Sequence, residues 1–574
     1  MIVLVIVTTL TAVTGVLGAA TVVGSFGRRG PARTTSDFLV ASRSVTPMWN
    51  ASAISSEYVS AAAFLGTAGL VLTYGADMLW LPIGAAAGYV VVLVLITGPL
   101  RRSGVYTLSD FAEWRLGSRP MRHAVSVCVC FIGWFYLLPQ FQGAGVTLRV
   151  VAGLPVWVGW AIVVFVVLGI VLSGGMRSIT VVQAFQFWFK LLALAIPAVA
   201  LVVIWRLQGG PDPTRPYPPE FARPTTVSVA FHVELRVPLD IRGRVDGVLD
   251  GRRYHGTEVL LTAGRHLVGE GSRIAFPAGA AVPHAEQIPV QCGDRWARPF
   301  GRSRDHPLFV TYSVLIGMLL GTMGLPHVVI RFYTNTSGRA ARRTVPLVLA
   351  MLSLFYVFPT LYGALGRVFT PELLMTGDAD ATILMLPGRL IPGLAGTLLT
   401  GLVAAGAFAA FVSTSCGVVV AIAGSLSQGI SGGGVRRFRI GAVIAITVPL
   451  TLVGWLGTLG AAGLVTLAFT ISACSLCPLL VLGVWWRGLT PIGARTGLVV
   501  GGGCAVAAGL TQIIAGRQSG WWGALLAQPA IAVVPLTFLV MVVVSLLTRA
   551  RVPVGVDRAM ARLHLPEELL MHRS

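Results

Sequence analysis

Four kinds of side chain in this sequence could do chemistry in an apolar environment: one carboxylate, one ammonium, an adjacent pair of hydroxyls and a histidine. Glu57 is the one acidic residue inside an apolar, membrane-length segment; eleven of the twenty-two acids fall between Gln208 and His306, and the others lie in loops, at segment ends or in the tail. A charge at membrane depth costs roughly 2.5 kcal/mol or more, so it faces a water-filled cavity, an ion or a partner. Glu57 therefore points to a transport pathway, the alternative being a carboxyl neutralised by an internal Arg or Lys. Its neighbours, Asn50-Ala-Ser-Ala-Ile-Ser-Ser-Glu-Tyr-Val-Ser60, are small and polar, as expected of a helix buried among others and able to unwind. Ser413 and Thr414 place two hydroxyls side by side, with Ser415 turned away by about 100°. A dehydrated hard cation such as sodium takes oxygen ligands of this kind, whereas Ser and Thr in membrane helices also bond back to the carbonyl one turn earlier. Lys190, the only lysine, reads as a side chain snorkelling beside Phe187, Trp188 and Phe189, with pairing to Glu57 or substrate as the alternative. His327 reads as packed or facing the cytoplasm, with a proton pathway as the alternative.

The elements that must position these groups are membrane spans. The chain is 55% hydrophobic and 11% charged with mean hydropathy +0.80, outside the range of soluble domains. Windows of about twenty apolar residues predict thirteen spans, near 1–25, 47–73, 78–100, 123–150, 155–174, 181–207, 308–332, 345–368, 390–428, 439–459, 461–486, 495–516 and 525–548. Small residues at Gly18-Ala-Ala20 resemble a cleavage site, but no charge precedes the first apolar run and Arg28-Arg29 come after it, so it reads as a retained span. Six of the seven cysteines lie on spans, including Cys128-x-Cys130 and Cys474-x-x-Cys477; without a His partner they read as packing residues rather than metal or redox sites.

The net charge of +21 does not indicate nucleic acid, because of where it lies. Outside the polar stretch, basic residues occupy alternate loops: Arg28, Arg29, Arg33 and Arg43; Arg101, Arg102, Arg115, Arg119 and Arg122; Arg177; Arg331, Arg339, Arg342 and Arg343; Arg436, Arg437 and Arg439; Arg487 and Arg495; and the tail from Arg549. The positive-inside rule then predicts an outside amino terminus and a cytoplasmic carboxyl terminus. The expected organisation is spans one to six over 1–207, an extracytoplasmic insert over 208–306, spans seven to thirteen over 307–548, and a cytoplasmic tail over 549–574. The insert's alternating Ser228-Val-Ala-Phe-His-Val-Glu-Leu-Arg-Val237, with turn signals at Gly243-Arg244, Asp246-Gly247 and Asp250-Gly251, predicts several short strands. The tail from Asp557 reads as a short amphipathic helix on the membrane surface or as a disordered segment.

Leu65-Gly-Thr-Ala-Gly-Leu70 on the second span echoes Leu320-Gly-Thr-Met-Gly-Leu325 on the seventh. Five spans apart, the two enter the membrane from opposite sides, as the first helices of two inverted five-helix repeats would, and transporters of that design break those helices at the midplane. Gly321, Gly324 and Pro326 weaken the seventh helix locally.

Glu57-Tyr-Val-Ser-Ala-Ala-Ala-Phe-Leu-Gly66, Gly321-Thr-Met-Gly-Leu-Pro-His-Val-Val-Ile-Arg-Phe-Tyr333 and Ser413-Thr-Ser-Cys-Gly-Val-Val-Val420 resemble the sodium:solute symporter family, in particular its acetate permease or monocarboxylate branch. Ser36-Asp-Phe-Leu-Val40, Tyr106-Thr-Leu-Ser-Asp110, Gln140-Phe-Gln-Gly-Ala-Gly145 and Gly174-Gly-Met176 extend the likeness over nearly all spans but not the insert. The resemblance implies an all-α polytopic fold with a LeuT-like core of five plus five inverted helices. It implies a sodium site made by the carbonyls of Ser56, Val59 and Ala410 and the hydroxyls of Ser413 and Thr414. Substrate would lie beside it, between the broken second and seventh spans, with Glu57, Tyr58, Gln140, Gly321, Thr322 and Gly324 as substrate or coupling residues. The acetate branch carries Asp at the position of Glu57, and proline permease carries its functional Asp at the position of Tyr58. The longer carboxyl here makes a proton the alternative coupling ion.

The reading is a cell-membrane symporter that takes up a small organic anion such as acetate with sodium, without another cofactor and with the lipid bilayer, not nucleic acid, as its surroundings. Amino acid, sugar or urea symport is the alternative within the family. A transporter-like solute sensor is the alternative outside it, and only about twenty-five residues come after the last span. An enzyme is disfavoured, since no nucleophile–base or metal-ligand motif is found.

Overall fold

The computed structural model describes residues 15, 18, 45–215, 218–229, 232–286, 293–300, 306–429, 434–455, 460–516 and 518–565, the side chains of 174, 175 and 177 excepted. The expected first span apart from residues 15 and 18, the Ser36–Val40 motif and Cys292 lie outside the described residues. The chain is mostly helical, and ten helical stretches among the described residues are long and apolar enough to cross a membrane, against thirteen spans expected. The expected second span begins with the small, polar helix α1 (Pro47–Tyr58). Its remaining part joins the third span in one apolar stretch, Ala62–Leu95. The segment expected at 439–459 forms a helix, Val435–Leu452, which carries three arginines near its start.

Helix α1 leads through a π-helical turn, Ala62–Gly66, into α2 (Thr67–Tyr74). Next along the chain are α3 (Trp80–Leu95), α4 (Leu108–Leu116), α5 (Arg119–Ala152) and α6 (Val156–Leu207). Helix α6 runs through two predicted spans without a break, its Gly174-Gly175 included. Beyond the insert lie α7 (Pro307–Gly324), α8 (Pro326–Phe332), α9 (Gly338–Phe369) and α10 (Gly393–Gly429). Then come α11 (Val435–Leu452), α12 (Ala461–Cys474), α13 (Leu476–Trp485), α14 (Pro491–Ala515), α15 (Ala530–Leu547) and the tail helix α16 (Val556–His564).

Three discontinuities shape the bundle. Helix α1 ends at Tyr58, and the chain is non-helical at Val59 and Ser60. Between α7 and α8, Leu325 is extended, with ψ of 117°, as expected of a residue before proline, and Pro326 cannot donate into the helix. The third break, at Ser475 between α12 and α13, has no counterpart among the sequence expectations. Helix α10 is the most enclosed: its apolar window is entirely buried, and its Gly, Ala and Ser residues let neighbours approach closely.

Seven antiparallel strands fold the insert into one sheet: β1 (Thr225–Ser228), β2 (Val233–Val237), β3 (Ile241–Leu249), β4 (Arg252–Leu261), β5 (Gly264–Val268), β6 (Arg273–Phe276) and β7 (His284–Ala285). They run in the order β1-β6-β3-β5-β2-β7, with β4 also on β3. Of the three expected turns, only Asp250-Gly251 is one, with φ of 51° and 77°, the signature of a two-residue hairpin. Gly243 lies inside β3, where any side chain would press on Ile274 and Leu261, and Gly247 sits at a bulge; glycine marks tight packing here rather than reversal. The sheet is tied to the bundle. Met375 joins its apolar core, and Trp296 donates to the Val71 carbonyl at 2.8 Å while its own carbonyl accepts from Ala76 at 2.9 Å.

The opposite face gathers the arginine-bearing loops. Arg101 donates to the carbonyls of Asn335 at 2.6 Å and Thr336 at 2.8 Å, Arg102 to Leu563 at 2.7 Å, and Arg115 to Gly483 at 2.8 Å and Trp486 at 3.0 Å. Arg115, expected in a loop, is buried as a clamp between elements. Helix α16 buries Met560 and Leu563 against this face, so its apolar side is spent on the bundle rather than on lipid.

Gly321 on α7 packs so tightly on α12 that a Cβ would collide with the Phe469 carbonyl. Gly321→Ala is therefore expected to destabilise the protein by about 1–3 kcal/mol, read as a lower thermal midpoint in detergent; an unchanged midpoint would refute the packing role.

Candidate functional site

The break after α1 strips backbone groups of their helical partners in an environment where each must find another. The structure finds them on three other helices. Ser413 Oγ on α10 donates to the Ser56 carbonyl at 2.9 Å and lies 3.1 Å from the Ala410 carbonyl. Thr414 Oγ1 donates to the Glu57 carbonyl at 2.7 Å. Gln140 on α5 accepts from the Ala61 amide at 3.0 Å and donates to the Tyr136 carbonyl at 3.0 Å.

The five expected cation-site residues, Ser56, Val59, Ala410, Ser413 and Thr414, are thus brought together and fully buried. Three of them, Ser56, Val59 and Ser413, meet at a group expected elsewhere. Lys190 Nζ donates to the Ser56 carbonyl at 2.5 Å, to Ser413 Oγ at 2.9 Å and to the Val59 carbonyl at 3.2 Å. Its side chain is fully buried, so the snorkelling expectation fails: mid-helix on α6, the ammonium meets oxygens freed by the broken helix sooner than it could reach an aqueous interface.

Glu57 is likewise fully buried and pairs with Arg331 on α8. Arg331 Nε donates to Glu57 Oε1 at 2.9 Å, Nη1 to Thr180 Oγ1 at 2.7 Å, and Nη2 to both Glu57 and Gln183 Oε1. Gln183 Nε2 closes the network by donating to Glu57 Oε1 at 3.0 Å and to the Ser413 carbonyl at 2.7 Å. Arg331, counted in the sequence as a loop charge, is fully buried: the break at Leu325 lets the short α8 carry it inward. Glu57 is consequently a paired carboxylate, the alternative that its isolation in the sequence leaves open. Gly417, one turn beyond Ser413, makes room for it, since a Cβ there would collide with the carboxylate.

Sequence reasoning missed Arg331, Gln183 and Thr180. A signal existed on α6, where Gln183 and Lys190 lie seven residues apart and so share a helix face, with Thr180 three residues from Gln183.

The other expected substrate or coupling residues separate into two groups. Tyr58 lines a cavity of about 40 Å³ with Ser60, Tyr136, Tyr356 and Phe469, its ring edge-on to Tyr89 at 5.6 Å and to Phe469 at 6.1 Å. Gln140, Gly321, Thr322 and Gly324 do not line it. Both ends of Gln140 are engaged by backbone. Gly321 and Gly324 are packed on α12 and α13, and Thr322 Oγ1 donates to the Met318 carbonyl at 2.8 Å. In this structure they pack and bond within the bundle around the breaks. His327 is packed, its ring 4.6 Å from that of Tyr136. On the insert face the cavity shares Leu70, Leu81, Ala462 and Thr466 with a vestibule of about 820 Å³ that also reaches Asp77, Glu286 and Gln528. Among the described residues no cluster of His, Cys, Asp and Glu could hold a metal ion.

A family model described as sodium:solute symporter family matches residues 38–209 and 285–501, leaving out 210–284, which carry most of the sheet. The chain is 26% identical over 480 residues to an uncharacterized symporter, YwcA, of Bacillus subtilis, covering 82% of this chain and 79% of that one. It is 27% identical over 628 residues to an uncharacterized symporter of Cupriavidus necator, covering 92% and 90%. It is 24% identical over 485 residues to a protein named monocarboxylic acid transporter of Corynebacterium glutamicum, covering 81% and 77%. The substrate-bound outward-open structure of a Na+-coupled sialic acid symporter shares the fold, with a TM-score of 0.63 over 94% of this chain and 97% of that one at 13% identity.

Removing one member of the buried pair leaves the other charge uncompensated. Arg331→Met is expected to cost about 3–5 kcal/mol, and the double variant with Glu57→Gln less than the sum of the two single losses. Thermal unfolding of the purified protein checks both, and additive losses would show that the pair is not coupled.

Proposed function

Because the chain belongs to the sodium:solute symporter family, we propose that it is a secondary active transporter importing a small organic anion, a short monocarboxylate such as acetate, by cation-coupled symport. Sodium is the coupling ion that family membership implies. The observation that carries the substrate class is the cavity beside the broken α1. Its roughly 40 Å³ has room for on the order of three waters, hence for a solute of a few heavy atoms. Its lining of tyrosines and Ser60 offers hydroxyl donors to a carboxylate and ring faces to a short alkyl chain. Tyr58 and Ser60 join the cavity to the break in the helix, where the carbonyl of Val59 is held by Lys190. The likeness to a protein named monocarboxylic acid transporter agrees with this reading.

In the cell membrane the insert and its vestibule would face outside and the arginine-rich face the cytoplasm, as the charge asymmetry supports. Solute would enter by the vestibule and settle against Tyr58 and Tyr136. Movement of the broken helices would then expose it to the other side.

The test is uptake of labelled acetate by proteoliposomes, with competition by a panel of acids, sugars, amino acids and urea. Acetate, propionate or pyruvate is expected to accumulate and to compete, and Tyr58→Ala to reduce uptake by at least about tenfold if the ring contacts solute. Absence of uptake under imposed sodium and pH gradients alike would rule out monocarboxylate symport.

A further inference from the structure

The cation site and the lysine within it do not belong together in a sodium-binding protein. Three oxygens from two helices, the carbonyls of Ser56 and Val59 and the hydroxyl of Ser413, converge on one point. That is the ligand set a dehydrated monovalent cation would seek, and the point is held by Lys190 Nζ. An ammonium has three donors, and each has an acceptor here at 2.5–3.2 Å, so its hydrogen-bonding capacity is filled by the groups sodium would need. The charges around it fit the same account. Oε1 of Glu57 is bound by Arg331 and Gln183, and the three atoms that accept from the Lys190 ammonium are all uncharged oxygens, as the ligands of a bound sodium would be. Tyr362 on α9 gives its hydroxyl proton to the Leu194 carbonyl, away from the site.

We infer that the ammonium of Lys190 is the resident cation of this site, a tethered substitute for sodium bridging α1 and α10, and that the protein does not bind sodium there. The inference rests on the symporter reading for its setting and departs from it on the coupling ion. Sodium could enter only by displacing the ammonium, since a second cation among these oxygens would meet like-charge repulsion.

The test uses the full-length purified protein and needs no substrate. Saturable binding of radioactive sodium, and the shift of the thermal midpoint when sodium chloride replaces choline chloride, are measured for the wild type, for Lys190→Ala, which vacates the oxygens, and for Lys190→Met, which keeps the side-chain bulk. The wild type is expected to show neither saturable binding nor a sodium-specific shift, and Lys190→Ala to gain both. Because the wild-type measurement requires no variant, a misfolded Lys190→Ala leaves the inference open to refutation, and Lys190→Met controls for loss of the charge alone. Saturable wild-type binding weakened by Ser413→Ala would overturn the inference, and so would a folded Lys190→Ala protein that remains indifferent to sodium. Failure of acetate uptake would refute the monocarboxylate reading and leave this result standing.

Discussion

The constraint on which the site depends is the interruption of α1 at Val59 and Ser60. In the membrane interior an unpaired peptide group costs several kcal/mol, so a helix stays broken there only if other elements take over its hydrogen bonds. Here they come from four side chains: Ser413 and Lys190 for the Ser56 carbonyl, Lys190 for that of Val59, Thr414 for that of Glu57, and Gln140 for the Ala61 amide. The break is thus a junction of α1, α5, α6 and α10. Each side chain that completes it is fully buried and has little freedom to do anything else without reopening the junction.

A second layer is electrostatic. The Glu57–Arg331 pair is enclosed on all sides, and such pairs are retained at a desolvation cost that their mutual attraction offsets only with further hydrogen bonds. Thr180 and Gln183 supply those bonds to Arg331, and Gln183 also joins the pair to the Ser413 carbonyl. The pair and the lysine site are therefore mechanically linked through one amide, although the pair is neutral and the lysine is not. Arg331 rides on α8, whose entry is fixed by Leu325 and Pro326. Rotation of that short segment would carry Arg331 off Glu57 and alter the site from the second broken helix.

Much of this was legible in the sequence, and the failures have physical causes. The weak points of the second and seventh spans were legible in the small polar residues before Ser60 and in Gly321, Gly324 and Pro326, and the interruptions at Val59 and Leu325 lie there. Arg331 was misplaced because charge-pattern reasoning assigns an arginine near a segment end to the loop, and it cannot see that a broken helix folds that end inward. Lys190 was misplaced because snorkelling is the ordinary resolution for a lysine in a span; that the free oxygens of another helix lie nearer than the interface is a tertiary fact. Gly321, Gly324 and Gln140, read in the sequence as substrate or coupling residues, are taken up by close packing and by backbone hydrogen bonds in this structure. A glycine that marks a weak helix and one that admits a neighbouring backbone look the same until the neighbour is known.

The lysine also changes what the broken helix can do. A diffusible ion stabilises the contact between α1 and α10 only while it is bound, so its arrival and departure can be linked to the opening of the solute path. A tethered ammonium is always present, and the α1–α10 contact can open only if α6 moves with it or if the ammonium leaves its three acceptors. Two unit charges about 4 Å apart repel by about 4 kcal/mol at an effective dielectric constant of about 20, enough to keep sodium from sharing the site. Conformational control then passes from ion occupancy to the position of one helix, α6. That helix carries Thr180, Gln183 and Lys190, so any shift along its axis would disturb the Glu57–Arg331 pair and the oxygen cluster together.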